Sequence, residues 1–276
     1  MTDKGIRVRF WGTRGSIPVS GPDFEHYGGN TPCIELQCGE HRLIFDAGSG
    51  IREAGEAMVA EGVSQCNLFF THSHYDHIMG LPYFSPVYNP AVQVKFWSGH
   101  LHGLKTTREL LNEFMRPPFF PIAPDVWKAN VEFQDFQTGD DLIPCDGVII
   151  RTGDLNHPGG CVGYRIEWAG KSVALIYDTE HVGDRLDPNV LALIGNVDLM
   201  VYDCTYTDDE MKRCFGYGHS TWRHGVQLAK AAAVKSFALF HHAPNRTDQA
   251  LDECERATQE LFPMAFAARD RQVVMI

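Results

Sequence analysis

Five apolar runs in this chain each end in an aspartate or a histidine. Arg42–Asp46 leads into FDAGSG and Asn67–Thr71 into HSHYDH. Val148–Thr152 is followed by GDLNHPGG, Val173–Asp178 closes in YDTEH, and Phe237–His241 closes in FHHAP. Rich in Val, Ile, Leu and Phe, these runs read as strands. Rigid strands that bring polar ends to one point are how a scaffold positions a site, so the pattern limits the chain to folds whose strand ends converge.

Four more strands are expected at Ile6–Trp11, Val92–Trp97, Val162–Trp168 and Asp198–Asp203. Helices are expected at Ile51–Glu61, Leu101–Met115, Thr221–Val234 and Thr247–Phe262, the third capped by Ser220 and the last by Thr247. The last helix places Leu251, Cys254, Thr258 and Leu261 on one face. Arg116–Pro124 carries four prolines and reads as a loop. Strands with accompanying helices occur in both halves, which points to an α/β sandwich. At 276 residues and 44% hydrophobic, the chain can bury a large core.

No run of apolar residues is long enough for a membrane helix, and the opening MTDKGIRVRF has no apolar signal core. Eight cysteines are scattered without a CxxC pair, which reads as reduced thiols and a cytoplasmic location. The net charge of −11 argues against non-specific polyanion binding.

The segment Thr71–His77, THSHYDH, is the densest in chemistry. His72 and His74 can point to one side of an extended turn and share an ion. Asp76 and His77, after a tighter bend, can reach a second. Histidine and carboxylate donors suit zinc, and also manganese or iron. Further donors at later strand ends are His157, Asp178 and His241, and a carboxylate such as Asp178 can bridge. Two ions roughly 3.5–4 Å apart clamp the attacking and leaving oxygens of a phosphoryl or acyl transfer. His41, His100, His102 and His224 read as ordinary surface or hydrogen-bonded histidines.

THSHYDH, LNHPGG, YDTEH and LFHHAP, in that order after FDAGSG, resemble the metallo-β-lactamase-fold hydrolase superfamily. The resemblance runs from GTRGSIP at Gly12–Pro18 to FHHAP. It implies an αββα sandwich of two mixed β-sheets flanked by helices, one domain over residues 1–276, with two divalent metal ions. By motif match His72, His74 and His157 hold one metal, Asp76, His77 and His241 the other, and Asp178 bridges. Asp46 braces the metal loop. Of the adjacent pair, His241 is the ligand and His242 a supporting or structural residue, because neighbouring strand residues face opposite ways.

YDCTYTDDE followed by GHSTWRHG resembles the RNase Z-like and cyclic-nucleotide phosphodiesterase branch. That match makes His219 the general acid and Asp203 its partner. With Asp76 they form the expected catalytic set. The glycine-rich GTRGSIPVSGPDFEHYGGNTPC resembles elements of small phosphodiesterases and suggests substrate contacts from Arg14, Tyr27, Asn30 and Arg246. The tRNA 3′-end endonuclease carries an arm between its third-motif histidine and bridging aspartate. Here 20 residues separate His157 from Asp178.

The expectation is therefore a metal-dependent phosphodiesterase acting on a small or cyclic nucleotide. Its partner is a small-molecule phosphodiester, with no membrane, no strong nucleic-acid binding, and a homodimer as the open option. The alternatives are a tRNA 3′-end-processing-like endonuclease, a lactonase or β-lactamase-type hydrolase, or a non-enzymatic metal-bound scaffold.

Overall fold

The computed structural model describes residues 5–183 and 185–276. The first four residues of the opening stretch read for a signal core lie outside the described residues. Strands β1 (Ile6–Gly12), β2 (Cys33–Cys38), β3 (His41–Phe45), β4 (Gln65–Phe70), β5 (Gln93–Ser98) and β6 (Asn130–Asp135) build a first sheet. A second contains β7 (Asp141–Leu142), β8 (Ile149–Leu155), β9 (Cys161–Trp168), β10 (Lys171–Ile176), β11 (Leu199–Asp203), β12 (Phe237–Phe240) and β13 (Ala265–Ala267). The final strand β14 (Val273–Met275) returns to the first sheet and pairs with β1.

Both sheets are mixed, and their parallel portions position the site. In the first, β3 runs parallel to β4 with Phe45 opposite Phe69, so the FDAGSG and HSHYDH segments leave from one edge. In the second, β10, β11 and β12 are parallel, with Ile176 opposite Tyr202 and Asp203 opposite Phe240. Asp178, Asp203 and His241 therefore emerge together.

Side-chain alternation builds three apolar layers. Along β4, Phe69 faces the second sheet while Leu68 and Phe70 face helices α1 (Ile51–Ala60) and α3 (Thr107–Phe114). Phe45 stacks on Phe69 at 5.0 Å, and Tyr164 meets Phe45 edge-on at 5.3 Å. Each such ring, fully buried, contributes about 1.5–3 kcal/mol. Helices α4 (Pro188–Ile194), α6 (Trp222–Ala231) and α7 (Asp248–Leu261) cover the second sheet through Ile176, Met200, Leu228 and Leu251. The architecture is the expected αββα sandwich.

Several local expectations change. The helix expected over Leu101–Met115 starts at Thr107, because Gly103 takes a left-handed φ of 78° and Thr106 forms a capping box with Glu109. The cap of α6 is Thr221, whose hydroxyl accepts from His224 N at 3.3 Å. Ser220 is engaged elsewhere: its hydroxyl donates to Thr179 O at 2.6 Å and accepts from His181 N at 3.1 Å. Thr247 caps α7 as expected. Leu251 and Thr258 are buried on that helix but Leu261, at its last residue, is turned to solvent. Strands β2, β6, β7, β13 and β14 were not expected, nor were α4, the single-turn helix α2 (Tyr75–Ile78) or α5 (Asp208–Cys214). All eight cysteines carry free thiols. Among the described residues no helix is long and apolar enough to cross a membrane.

Candidate metal centre

Three strand-end residues of the site take left-handed backbone angles unusual for side-chain-bearing residues: Asp46 (φ 62°), Asp178 (φ 23°) and His241 (φ 59°). Such strain persists only where surrounding bonds hold it. Around Asp46 those bonds are plain. Its Oδ1 accepts from Thr71 N at 2.7 Å, and its Oδ2 accepts from the Thr71 hydroxyl and from His77 Nδ1, each at 2.7 Å. Asp46 thus ties the end of β3 to the turn after β4 and fixes one imidazole.

The same device recurs on every deeply buried histidine of the cluster. His72 Nδ1 donates to Thr71 Oγ1 at 3.1 Å, whose own proton goes to Asp46. His157 Nδ1 donates to Gly218 O at 2.7 Å. His241 Nδ1 donates to Thr205 Oγ1 at 2.9 Å, whose proton goes to Asp203. Each bond settles the tautomer and leaves Nε2 as an acceptor, partnerless in His72 and His77 and facing His74 Nδ1 at 3.0 Å in His157. Those four Nε2 atoms converge on Asp178. His72, His77 and His157 stand 3.5, 3.3 and 3.6 Å from its Oδ2, and His241 stands 3.2 Å from Oδ1.

Three overlapping donor sets emerge: His72, His74, His157 and Asp178; Asp76, His77 and His241; and Asp178, Asp203, His219 and His241, each offering atoms within 4.8 Å of one another. The His72 Nε2, His77 Nε2 and Asp178 Oδ1 atoms are buried without a hydrogen-bond partner. Burying unpartnered lone pairs is costly. A cation among them removes that cost, so the donor chemistry fits divalent metal.

His219 belongs to the third set, its ring stacked on His241 at 4.9 Å. Its Nδ1 donates to Asp203 Oδ2 at 2.9 Å. Asp203 is fully buried and also accepts from Thr179 N, Thr205 N and the Thr205 hydroxyl. Burial alone pushes the His219 imidazole down, but the Asp203 charge and hydrogen bond outweigh it and carry the group up to about 9. A cavity of about 420 Å³ opens here, lined by His74, Tyr75, Asp76, Asp178 and His219 among others.

The N-terminal glycine-rich loop closes over this edge. Ser16 N donates to Asp76 Oδ2 at 2.7 Å. A Cβ on Gly15 would lie 2.3 Å from the His241 ring, so only glycine fits there. The four expected substrate contacts do not line the cavity. Arg14 is fully buried, donating to Gly28 O at 2.9 Å and Arg246 O at 2.6 Å. Tyr27 OH lies between Asp252 and Glu255, and Asn30 Oδ1 accepts from Ser49. Arg246 pairs with Glu210. All four are bonded to the protein itself, and Arg14 Nη2 is buried without a hydrogen-bond partner.

Sequence reasoning passed over several supporting residues. Thr71 and Thr205 sit inside quoted motifs, yet hydroxyl relays leave no spacing signature. His100, read as ordinary, bonds Ser98 Oγ and Ser73 Oγ, each at 3.1 Å, and so buttresses the turn between His72 and His74. Burial, with the nearby His74, presses it down to about 4, so it is neutral. Glu180 Oε2 accepts from Gly216 N at 2.7 Å and Gly218 N at 3.1 Å, pinning the loop that carries His219. His242 donates from Nε2 to Ala268 O at 2.7 Å and faces away from the donor sets.

Residues 41–242 match the family described as the beta-lactamase superfamily domain. A ribonuclease Z of Pyrococcus furiosus is 24% identical, over 98% of this chain and 96% of that protein. Among solved structures, the metallo-beta-lactamase fold protein YhfI from Bacillus subtilis aligns at TM-score 0.76 and 17% identity, covering 99% of this chain and 100% of that one. The short form of human tRNase Z aligns at TM-score 0.68 and 19% identity, covering 97% and 98%. These relatives overturn one expectation, that of a small-molecule partner without strong nucleic-acid binding. The protein that aligns almost end to end carries the name ribonuclease Z. Net charge misled because it averages the whole surface and does not report the local field at a site.

Proposed function

Because the chain belongs to the beta-lactamase superfamily domain family, a metal-dependent hydrolase family, we propose that its site hydrolyses RNA phosphodiester bonds, the whole chain acting as one domain. The observation that carries this reading is the His219–Asp203 pair at 2.9 Å, whose donor set shares Asp178 and His241 with the other histidine–aspartate donor sets. A ribose oxygen leaves poorly without a proton, and a histidine held this firmly can deliver one. The ribonuclease Z relatives tip the substrate toward RNA, in place of the small or cyclic nucleotide.

We assign His72, His74 and His157 to one metal and Asp76, His77 and His241 to the other, with Asp178 shared. Divalent metal held there supplies Lewis-acid activation of water and neutralises phosphoryl charge, zinc being favoured by the imidazole-rich donors. The chain's own groups do the rest. Thr71, Asp46, Gly218 and Thr205 hold the ligand rings at fixed tautomers. Asp203 occupies His219 Nδ1, so Nε2 is the atom that delivers a proton to the departing oxygen. Ser16 N steadies Asp76 from the opposite loop.

The test is hydrolysis of a 3′-extended RNA by metal-loaded protein, before and after chelation. Chelator-sensitive cleavage restored by added zinc or manganese is expected. No cleavage by a fully loaded sample overturns the reading, and a lactone panel then decides for the acyl-transfer alternative.

A further inference from the structure

Two exposed tyrosines on the loops that carry the site have no role in the chemistry above. Tyr75 lies between His74 and Asp76, lines the cavity and is 76% exposed. Tyr217 stands two positions before His219 and is 64% exposed. Both are firmly mounted. Tyr75 opens α2, whose next residues Asp76 and His77 are buried in the donor set. Tyr217 is flanked by Gly216 and Gly218, whose amides are both held by Glu180. Their loops come from different sheets, one following β4 and the other lying between β11 and β12. His74 and Tyr75 of the first loop and His219 of the second line one cavity.

Exposed rings on rigid loops beside a phosphodiester site are suited to stack on nucleobases. Stacking does not depend on charge, and it requires bases free of pairing. We infer that the site takes a single-stranded RNA segment, with bases flanking the scissile phosphate stacked on Tyr75 and Tyr217. This rests on the RNA-hydrolysis reading and names the form of RNA that enters.

Binding is read by fluorescence anisotropy of a short phosphorothioate oligoadenylate, slow to hydrolyse, with metal-loaded protein. Tyr75→Ala and Tyr217→Ala should each weaken binding roughly 5–150-fold, the range of one base–aromatic stack. Tyr75→Phe should bind as wild type, and Tyr75→Leu should resemble the alanine variant. An abasic oligomer, which loses both stacks, should bind wild-type protein as weakly as oligoadenylate binds the double alanine variant, and a duplex should bind more weakly than the single strand. Wild-type affinity in both alanine variants, or tighter binding of the duplex, overturns the inference. RNA turnover with such unaffected binding leaves the hydrolysis reading standing. Base-dependent binding without turnover removes that reading and keeps the stacking surface.

Discussion

The Asp203 carboxylate accepts from His219 Nδ1 at 2.9 Å, fixing the imidazole of a residue 16 positions further along the chain. With that nitrogen occupied, one ring atom remains to deliver a proton. His219→Ala should keep its metal but lose about 10²–10⁴-fold in turnover on RNA diesters. On bis(p-nitrophenyl) phosphate, whose phenolate leaves unaided, the loss should stay below about tenfold. Equal losses on both substrates would remove His219 as the acid.

Four imidazole Nε2 atoms approach the Asp178 carboxylate, at 3.2–3.6 Å. Replacing it with alanine leaves those lone pairs around a hole and removes the carboxylate they share, with only Asp76 of the assigned ligands left to balance bound charge. Asp178→Ala should therefore lose both metals on dialysis, measured by elemental analysis against wild-type protein. Retention of a full pair would show that Asp178 does not bridge.

Much of the site was legible because it is local. HSHYDH places four potential donors on one turn, and the later donors each close a strand of Val, Leu or Phe, so hydrophobic pattern and chemistry mark the same positions. The fold followed from the same runs, but its short edges did not. β13 and β14 have three residues each, too few for a period, and β6 has no fully buried residue to mark an inward face. What the chain hid were bonds between distant segments. Glu180 and Gly218 are 38 positions apart, and nothing in either motif announces their contact. Arg14 reads as a free cation in a glycine-rich loop, yet the loop's return past residues 242–246 buries it under backbone carbonyls.

That Glu180 contact gives a third expectation. Glu180 fixes Gly218, and the Gly218 carbonyl fixes His157 Nδ1 at 2.7 Å. Outer partners of metal-bound histidine typically alter metal affinity or activity by about 10–100-fold. Glu180→Ala should weaken metal affinity in a chelator competition by that factor and lower turnover with little change in KM. Glu180→Gln, which keeps an acceptor for the two amides, should restore most of both. Unchanged metal affinity with only a lower Tm would make Glu180 a folding residue alone.

The last expectation concerns stability against pH. Asp270 accepts from Asn30 N at 3.0 Å and Thr13 Oγ1 at 3.3 Å, yet burial raises its carboxyl to about 7. An unfolded aspartate titrates near about 3.9. Between these values the folded chain holds a proton that the unfolded chain has released, so folding takes up a proton there. Stability from this group is full below the unfolded value and falls as pH rises toward 7. The loss is on the order of 2 kcal/mol once partial solvent screening is allowed for. Asp270→Asn keeps a carbonyl to accept the Asn30 amide and carries no titrating proton. Urea midpoints followed from about pH 5 to about pH 8 should fall less steeply for this variant than for wild type. Because the other titrating groups are common to both proteins, parallel profiles would assign the pH dependence elsewhere and leave Asp270 ionised in the fold.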